Sequence, residues 1–139
     1  MAGLSAGVGG GRPAASAGIN HQLVTDWRRG RRQVGKVERS ACHRLRQLAA
    51  EVPADRCVVE LGAFRGRSTG WLLLGAQDGG AHVTTVDPWD LRLDSYSPHS
   101  QAYRAARGEH ADWMKRIGAT STVHTTIQAK AVDAAADWD

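Results

Sequence analysis

The chain has 139 residues, enough for one domain of ordinary size, and no apolar run in it is long enough to span a membrane. Its formal net charge is +4, but residues 1–56 hold 10 basic and 4 acidic side chains whereas residues 57–139 hold 8 and 10. Cys42 and Cys57 fit no zinc or redox spacing and are expected to be reduced thiols in or near the core, which favours a reducing, cytoplasmic setting.

The N-terminal part divides by composition into two segments. Residues 1–18 are rich in Gly, Ala and Ser and are expected to form a disordered leader that lacks the features of a signal peptide. Residues 19–36 form a basic transitional segment whose charge run, Arg28-Arg29-Gly30-Arg31-Arg32, suits an anionic surface. Such runs are more often solvated faces, so nucleic-acid binding is not expected. The folded domain is predicted to occupy residues 37–139.

From residue 37 onward the hydrophobic pattern predicts one helix followed by three strand–helix pairs. The helix, over residues 37–50, ends before Pro53, and its apolar stripe includes Val37, Ala41, Leu45, Leu48 and Ala49. The later elements are a strand over 57–61, a helix over 67–76, a strand over 81–86, a polar loop over 89–100, a helix over 101–117, a strand over 122–127 and a helix from Gln128. In the helix over 67–76, the side chains expected to face the sheet are Trp71, Leu72 and Leu74. In the helix over 101–117, the expected inner stripe is Tyr103, Ala106, His110, Trp113, Met114 and Ile117.

The alternation of strands and helices predicts a parallel sheet. The first strand is a nearly continuous apolar run, which is typical of burial on both faces. Right-handed crossovers give the strand order 3-2-1, so the predicted fold class is α/β, a Rossmann-like three-layer sandwich with an incomplete sheet. The first strand then has a bare edge. We therefore expect either a domain truncated before a fourth strand, or pairing of this edge with a second copy or a complementing chain.

A glycine-bearing turn after the first strand is the strongest functional pattern in the sequence. Glu60 lies near the end of that strand, Gly62 and Gly66 lie in the turn, and Ser68 lies at the start of the following helix. The second strand is followed by Asp87. In an open α/β sheet, such a turn lets a ligand approach the backbone, the helix N-terminus offers N–H donors, and the acid can accept from a ribose. The pattern predicts a nucleotide-type pocket.

The run from Val59 to Thr69, with Asp87 after the second strand, resembles class I methyltransferases that use S-adenosylmethionine. It is most similar to a small bacterial and phage branch, rich in O-methyltransferases, whose first motif is Glu-x-Gly-x-x-x-Gly-x-Ser, and the similarity covers residues 40–139. The resemblance implies S-adenosylmethionine as cofactor and methyl transfer to an oxygen of a small molecule or sugar. The cofactor site that it implies consists of Glu60, Gly62, Ala63, Phe64, Gly66, Ser68, Thr69, Asp87, Gln128 and Ala129.

The resemblance also implies a role for each part of this site. The turn lies under the methionine part of the cofactor, the helix start lies near its carboxylate, and the residues after the third strand lie beside the adenine. Asp87 is implied to accept from the ribose hydroxyls, which is chemically reasonable because a diol offers two donors and a carboxylate can accept both. The sulfonium is a cation, so the Glu60 carboxylate and the Phe64 ring are expected to favour it.

Departures from the family pattern leave other interpretations open. Phe64 stands where commoner members have a glycine, and the Asp-Gly-Asp-His motif of a fourth strand is absent from the sequence, so no catalytic residue or metal ligand is assigned. The Gly-x-Ser-x-Gly of serine hydrolases is matched at 66–70 but too far from its strand, and a phosphate loop would lack one residue and its lysine. The main alternatives are an NAD-type dinucleotide-binding fragment and a non-catalytic binding or dimerisation module.

Three aromatic side chains can have either a functional or a structural role. Trp89, two residues after Asp87, is interpreted equally as an adenine-stacking residue or as a core or interface residue. His82 and His124 lie on predicted strands and are interpreted as hydrogen-bonded structural residues rather than metal ligands.

Overall fold

The computed structural model describes residues 18–26, 38–89, 98–136 and 138. Most of the leader and the arginine run at 28–32 lie outside the described residues, so the predicted division of the N-terminal part stays a prediction. The described elements are α1 (His21–Thr25), α2 (Arg39–Ala50), β1 (Cys57–Leu61), α3 (Arg67–Gly79), β2 (His82–Asp87), α4 (Pro98–Ile117), β3 (His124–Gln128) and α5 (Ala131–Ala136).

The three strands form one parallel sheet in the order β1-β2-β3, so the predicted incomplete α/β arrangement is confirmed. The register pairs Glu60 with Thr85, and Thr85 with Thr126. Residues that are paired across neighbouring strands point to the same face of a sheet, so the side chains of Glu60, Thr85 and Thr126 lie on one face. β2 is the central strand, and Val83, Thr85 and Val86 in it are almost completely buried. The carboxyl ends of all three strands therefore meet at one end of the sheet.

Helix α3 is the centre of the hydrophobic core, and α2 packs against it. Trp71, Leu72 and Leu74 are buried, as the sequence pattern predicted, and Leu73, which was not predicted, is buried as well. The two helices approach closely at Gly75, where an added Cβ would lie 2.1 Å from the carbonyl oxygen of Arg46. Only glycine permits this contact distance between two helix backbones.

Residues 18–26 belong to the core, although the sequence pattern predicted no element there. Ile19 and Val24 are buried in the cluster that includes α3. The Ile19 N–H donates to the Gln77 side chain at 2.8 Å, and the Asn20 N–H donates to the Ile117 carbonyl oxygen at 2.8 Å. The segment therefore joins α3 to the end of α4 before the basic run begins.

The prediction that β1 is buried on both faces was wrong. Glu60 is 7% exposed, but Val59 is 43% and Leu61 64% exposed, and Cys57 is exposed as well. These three alternate residues share the face opposite to Glu60, and among the described residues nothing covers that face at the edge strand. The expectation of a core or near-core thiol holds for Cys42, which is fully buried, and fails for Cys57.

Several predicted boundaries and one apolar stripe also need correction. In α2 the buried side chains are Cys42 and Ala49, whereas Ala41 and Leu48 are exposed, so the stripe is displaced around the helix. The predicted loop to residue 100 ends earlier, because α4 begins at Pro98, a residue that is favoured in the first turn of helices. The last helix begins at Ala131 and not near Gln128, which is still the final residue of β3.

None of the helices within the described residues has the length and apolar character needed to cross a membrane. The longest, α4, has 20 residues and is amphipathic: Ala106, His110, Met114 and Ile117 are buried, as predicted, while charged side chains occupy its other face.

Candidate functional site

The turn between β1 and α3 has a fixed and partly strained backbone. Gly62 has φ +86° and its N–H donates to the Val86 carbonyl oxygen at 2.8 Å, which continues the strand pairing by one residue. Gly66, with φ +89°, is the N-cap of α3. Phe64 lies between them with φ +52°, a conformation that costs a non-glycine residue about 1 kcal/mol or more. Tertiary contacts must therefore hold this turn in place.

Asp87 supplies the principal contacts that hold the turn. One carboxylate oxygen, Oδ2, accepts from the N–H groups of Ala63 at 2.7 Å and Phe64 at 2.9 Å. The other oxygen, Oδ1, accepts from the N–H of Trp89 at 2.7 Å. Asp87 is only 4% exposed. The acid at the end of β2 and the turn after β1 are thus in direct contact, but both oxygens of the acid already bind backbone donors.

Trp89 holds the turn from the other side. Its indole N–H donates to the Phe64 carbonyl oxygen at 2.7 Å, and the side chain is fully buried. Trp89 itself has φ +40°, so it is the second non-glycine residue in the left-handed region. Of the two interpretations of Trp89, the structure supports the core residue, since the side chain is buried in a hydrophobic cluster with Ala63 and Ala106.

Glu60 is the centre of a second buried network beside the turn. Its Oε1 accepts from the Ser68 hydroxyl at 2.5 Å, and its Oε2 accepts from the hydroxyls of Thr69 at 2.6 Å and Thr85 at 3.1 Å. These bonds join β1 to the first turn of α3 and to β2. The hydroxyls at the start of α3 that the resemblance assigns to a ligand carboxylate therefore donate to a carboxylate of the chain itself.

Two buried histidines extend this network toward α4. The Thr85 hydroxyl lies 3.0 Å from Nε2 of His124, and the Thr69 hydroxyl lies 3.5 Å from Nε2 of His110. A threonine hydroxyl has one proton, so if Thr85 donates to the glutamate it must accept from an Nε2–H of His124. The His110 ring also meets Trp89 edge to face, with centroids 5.2 Å apart. His124 is therefore hydrogen-bonded, as predicted, and so is His82, whose Nε2 lies 2.8 Å from the Thr125 hydroxyl.

Burial changes the proton affinity of all three titratable groups. Burial raises the pKa of Glu60, and the charge of Asp87 adds to this, although the three donated hydroxyl bonds oppose it. Burial, with the neighbouring His124, lowers the pKa of His110 to about 4. Burial, with the neighbouring His82, lowers the pKa of His124 to about 4. At neutral pH both imidazoles are therefore uncharged.

The end of β3 lies beside Asp87, because β2 and β3 are neighbouring parallel strands. Gln128 pairs with Asp87 in the register, and the Ala129 N–H donates to the Asp87 backbone oxygen at 3.2 Å. Gln128 also lines a cleft between α4 and β3. This cleft has a volume of about 270 Å³ and is lined by Trp89, Arg107, His110, Ala111, Met114, Thr126 and Gln128.

The predicted site residues thus lie together at the carboxyl ends of the strands, but they differ in accessibility. Gly62 is exposed, and an added Cβ there would meet no atom within 4 Å. Ala63, Thr69 and Asp87 are buried. The residues that sequence reasoning missed are Thr85 and His110 as parts of the Glu60 network. The sequence indicated their roles only weakly: Thr85 is a polar residue on a strand, and His110 is a polar residue in the apolar stripe of a helix.

The turn is also fixed to α4 by side chains. Arg65 and Glu109 form an ion pair at 2.7 Å, and the Phe64 and Tyr103 rings meet edge to face with centroids 5.1 Å apart. Within the described ranges, no group of three or more His, Cys, Asp or Glu side chains could hold a metal ion. No protein-family model and no curated protein matches this chain.

Proposed function

We propose that this chain carries the cofactor-binding part of an S-adenosylmethionine-dependent methyltransferase that acts on an oxygen of a small molecule or sugar. The observation that most supports this is the contact of Asp87 with the backbone of Ala63 and Phe64, because it brings acid and turn together at the carboxyl ends of the strands. Open α/β sheets bind their ligands at this end. When bound, the cofactor supplies an electrophilic methyl group, and the protein's own task is to bind and orient.

The open side of the turn supports a ligand that lies against the backbone. Gly62 is exposed, and no described atom stands within 4 Å of the position that a Cβ would occupy. Its φ of +86° is strained for any residue with a side chain. A glycine here therefore serves both the turn and the approach of a ligand.

The charge of the site favours a cationic cofactor over a dinucleotide. The charge of Asp87 is close enough to raise the pKa of Glu60, so two acidic groups lie beside the turn. A sulfonium is attracted to such a pair, whereas a pyrophosphate is repelled. The NAD-type alternative is therefore less well supported.

One observation favours a second candidate, a binding module without catalysis. The donors and acceptors at the site are engaged internally: Ser68 and Thr69 donate to Glu60, and Asp87 accepts from three backbone N–H groups. No residue of the chain is assigned as a catalytic base under either candidate. The proposed setting is the cytoplasm, and the proposed partner is a small-molecule acceptor.

Isothermal titration calorimetry with S-adenosylmethionine, S-adenosylhomocysteine and NAD tests the proposal. We expect binding of the first two and not of NAD. Gly62→Ala adds a methyl group to the exposed turn and is expected to weaken binding at least tenfold. Gly80→Ala is the matched control, because it also places a side chain at a positive φ, +82°, but at the C-cap of α3, at the other end of that helix from the turn. Absence of binding to the wild-type chain, or equal affinity of the Gly62→Ala variant, would contradict the assignment.

A further inference from the structure

We propose that Asp87 and Trp89 form a clamp on Phe64 that must open before the turn can accept a nucleoside, and that Trp89 is therefore a positioning residue that controls ligand entry. The clamp is defined by two contacts: the Phe64 N–H donates to Asp87 Oδ2 at 2.9 Å, and the Trp89 indole N–H donates to the Phe64 carbonyl oxygen at 2.7 Å. The N–H and the carbonyl oxygen of Phe64 are thus bound by the last residue of β2 and by Trp89, two residues later in the chain.

The hydrogen-bonding capacity of the carboxylate carries the first step. A carboxylate has about four acceptor positions. Three of those on Asp87 are taken by the N–H groups of Ala63, Phe64 and Trp89. One position remains, and a ribose diol needs two. Asp87 is also only 4% exposed. If Asp87 is to accept hydrogen bonds from both ribose hydroxyls, at least one backbone N–H must leave the carboxylate.

The backbone conformation carries the second step, because it stores strain on both sides of the clamp. Phe64 has φ +52° and Trp89 has φ +40°, and neither residue is favoured in the left-handed region. These are the two residues that the indole hydrogen bond joins. Opening the clamp lets Phe64 return to an ordinary backbone conformation, so relief of its strain offsets part of the loss of hydrogen bonds.

The surroundings of the clamp carry the third step, because the side chains that fix the turn to α4, in the Arg65–Glu109 ion pair and the Phe64–Tyr103 ring contact, are partly exposed, whereas the Trp89 ring is not. No described atom lies within 4 Å of the Cβ position at Gly62, and Phe64 is only half-buried. On the inner side, by contrast, Trp89 is fully buried and His110 packs against its ring. The turn is therefore the moving part, and the Trp89 ring is the fixed part.

Hydrogen exchange and binding kinetics together test the clamp. Trp89→Phe removes the indole donor, and we expect the amide hydrogens of Ala63 and Phe64 to exchange about fivefold faster, the effect of one net hydrogen bond. The association rate constant for S-adenosylhomocysteine, measured by stopped flow, should rise by a similar factor. Simple destabilisation would instead lower the apparent association rate, so the two explanations predict opposite signs. Unchanged exchange or a slower association would overturn the clamp.

A matched pair at Phe64 tests the strain separately and does not depend on a buried tryptophan. Phe64→Ala and Phe64→Gly both remove the ring and its contact with Tyr103, but only glycine adopts φ +52° without strain. We expect the glycine variant to keep the clamp closed, with turn amides that exchange at least threefold more slowly than those of the alanine variant. Equal exchange in the two variants would overturn the role of strain.

The clamp rests on the proposed function only for the identity of the ligand. If the wild-type chain fails to bind S-adenosylhomocysteine, the proposed function is refuted, whereas the exchange measurements on Ala63 and Phe64 still decide the clamp without any ligand. If the wild-type chain binds but Trp89→Phe does not change the exchange of these amides, the clamp is refuted and the proposed function stands.

Discussion

Replacing Asp87 by alanine tests how much of the fold depends on this one carboxylate. The substitution removes the acceptor of three backbone N–H groups, those of Ala63, Phe64 and Trp89, at distances of 2.7, 2.9 and 2.7 Å. A hydrogen bond to a charged group contributes about 1.5–3 kcal/mol, and a buried donor without an acceptor has a penalty of similar size. Phe64 is half-buried, so water can replace its bond. We therefore expect a loss of about 3–6 kcal/mol in the free energy of unfolding.

Urea unfolding followed by far-ultraviolet circular dichroism measures this loss. Asp87→Asn keeps one oxygen acceptor and is expected to lose about half as much as Asp87→Ala. Asp112→Asn on the exposed face of α4 removes a carboxylate without a buried donor and should remain within about 0.5 kcal/mol of the wild type. If Asp87→Ala loses less than about 1 kcal/mol, the N–H groups have other acceptors and the reasoning fails.

This prediction changes how binding data on Asp87 must be interpreted. Loss of ligand binding in the alanine variant follows whether the carboxylate contacts a ribose or only holds the turn. The variant alone therefore cannot establish a ribose acceptor. Gly62→Ala keeps the carboxylate and adds a methyl group at the exposed turn, but φ +86° strains any side chain there, so its effect on binding must be compared with its effect on stability.

Three further predictions concern the buried titratable groups, the contact between α2 and α3, and the exposed face of β1. Burial lowers the pKa of His110 and of His124 to about 4 from an ordinary 6.5. Between pH 6.5 and 4 the unfolded chain therefore binds protons at these two histidines and the folded chain does not. The free energy of unfolding should fall as the pH decreases through this range. Glu60 opposes this fall, because its raised pKa makes the folded chain bind a proton at a higher pH than the unfolded chain does. In Glu60→Gln, the free energy of unfolding measured by urea titration should therefore fall more steeply with decreasing pH than in the wild type. Gly75→Ala places a Cβ 2.1 Å from a backbone oxygen of α2, so it should lower the melting temperature and reduce the free energy of unfolding by about 3 kcal/mol or more. An unchanged melting curve would show that the two helices can separate. Leu61→Lys replaces a side chain that is 64% exposed, so its unfolding free energy should remain within about 0.5 kcal/mol of the wild type, and a larger loss would mean that this face of β1 is covered.

The parallel sheet and the meeting of the turn with Asp87 were predictable because both depend on local patterns. Apolar runs followed by a glycine turn or an acid define the strand ends, and right-handed crossovers then fix the strand order. The ten predicted site residues lie at one end of the sheet for this reason. The chemistry of the pocket, by contrast, needs a ligand to be tested, and it stays a proposal.

The parts that sequence reasoning missed depend on contacts between distant residues. Ile19 bonds to Gln77, which is 58 positions away, and no periodicity in a short polar segment could indicate that. The exposure of Val59 and Leu61 was missed because an apolar strand does not reveal whether a second layer covers it. The Glu60 network was missed because the destination of each hydroxyl is decided by rotamers and not by spacing.

The two acids at the strand ends perform different tasks because they accept from different kinds of donor. Glu60 accepts from side-chain hydroxyls of α3 and β2, so it can lose or gain a partner by a rotation of a side chain. Asp87 accepts from backbone N–H groups on either side of itself, so its partners change only when the backbone moves. A ligand that donates two hydrogen bonds to Asp87 must therefore alter the turn, whereas one that contacts Glu60 need not. If the turn is the binding element, its response to a ligand should be a change of backbone conformation at Phe64, and the Glu60 network should keep the start of α3 fixed while that change occurs.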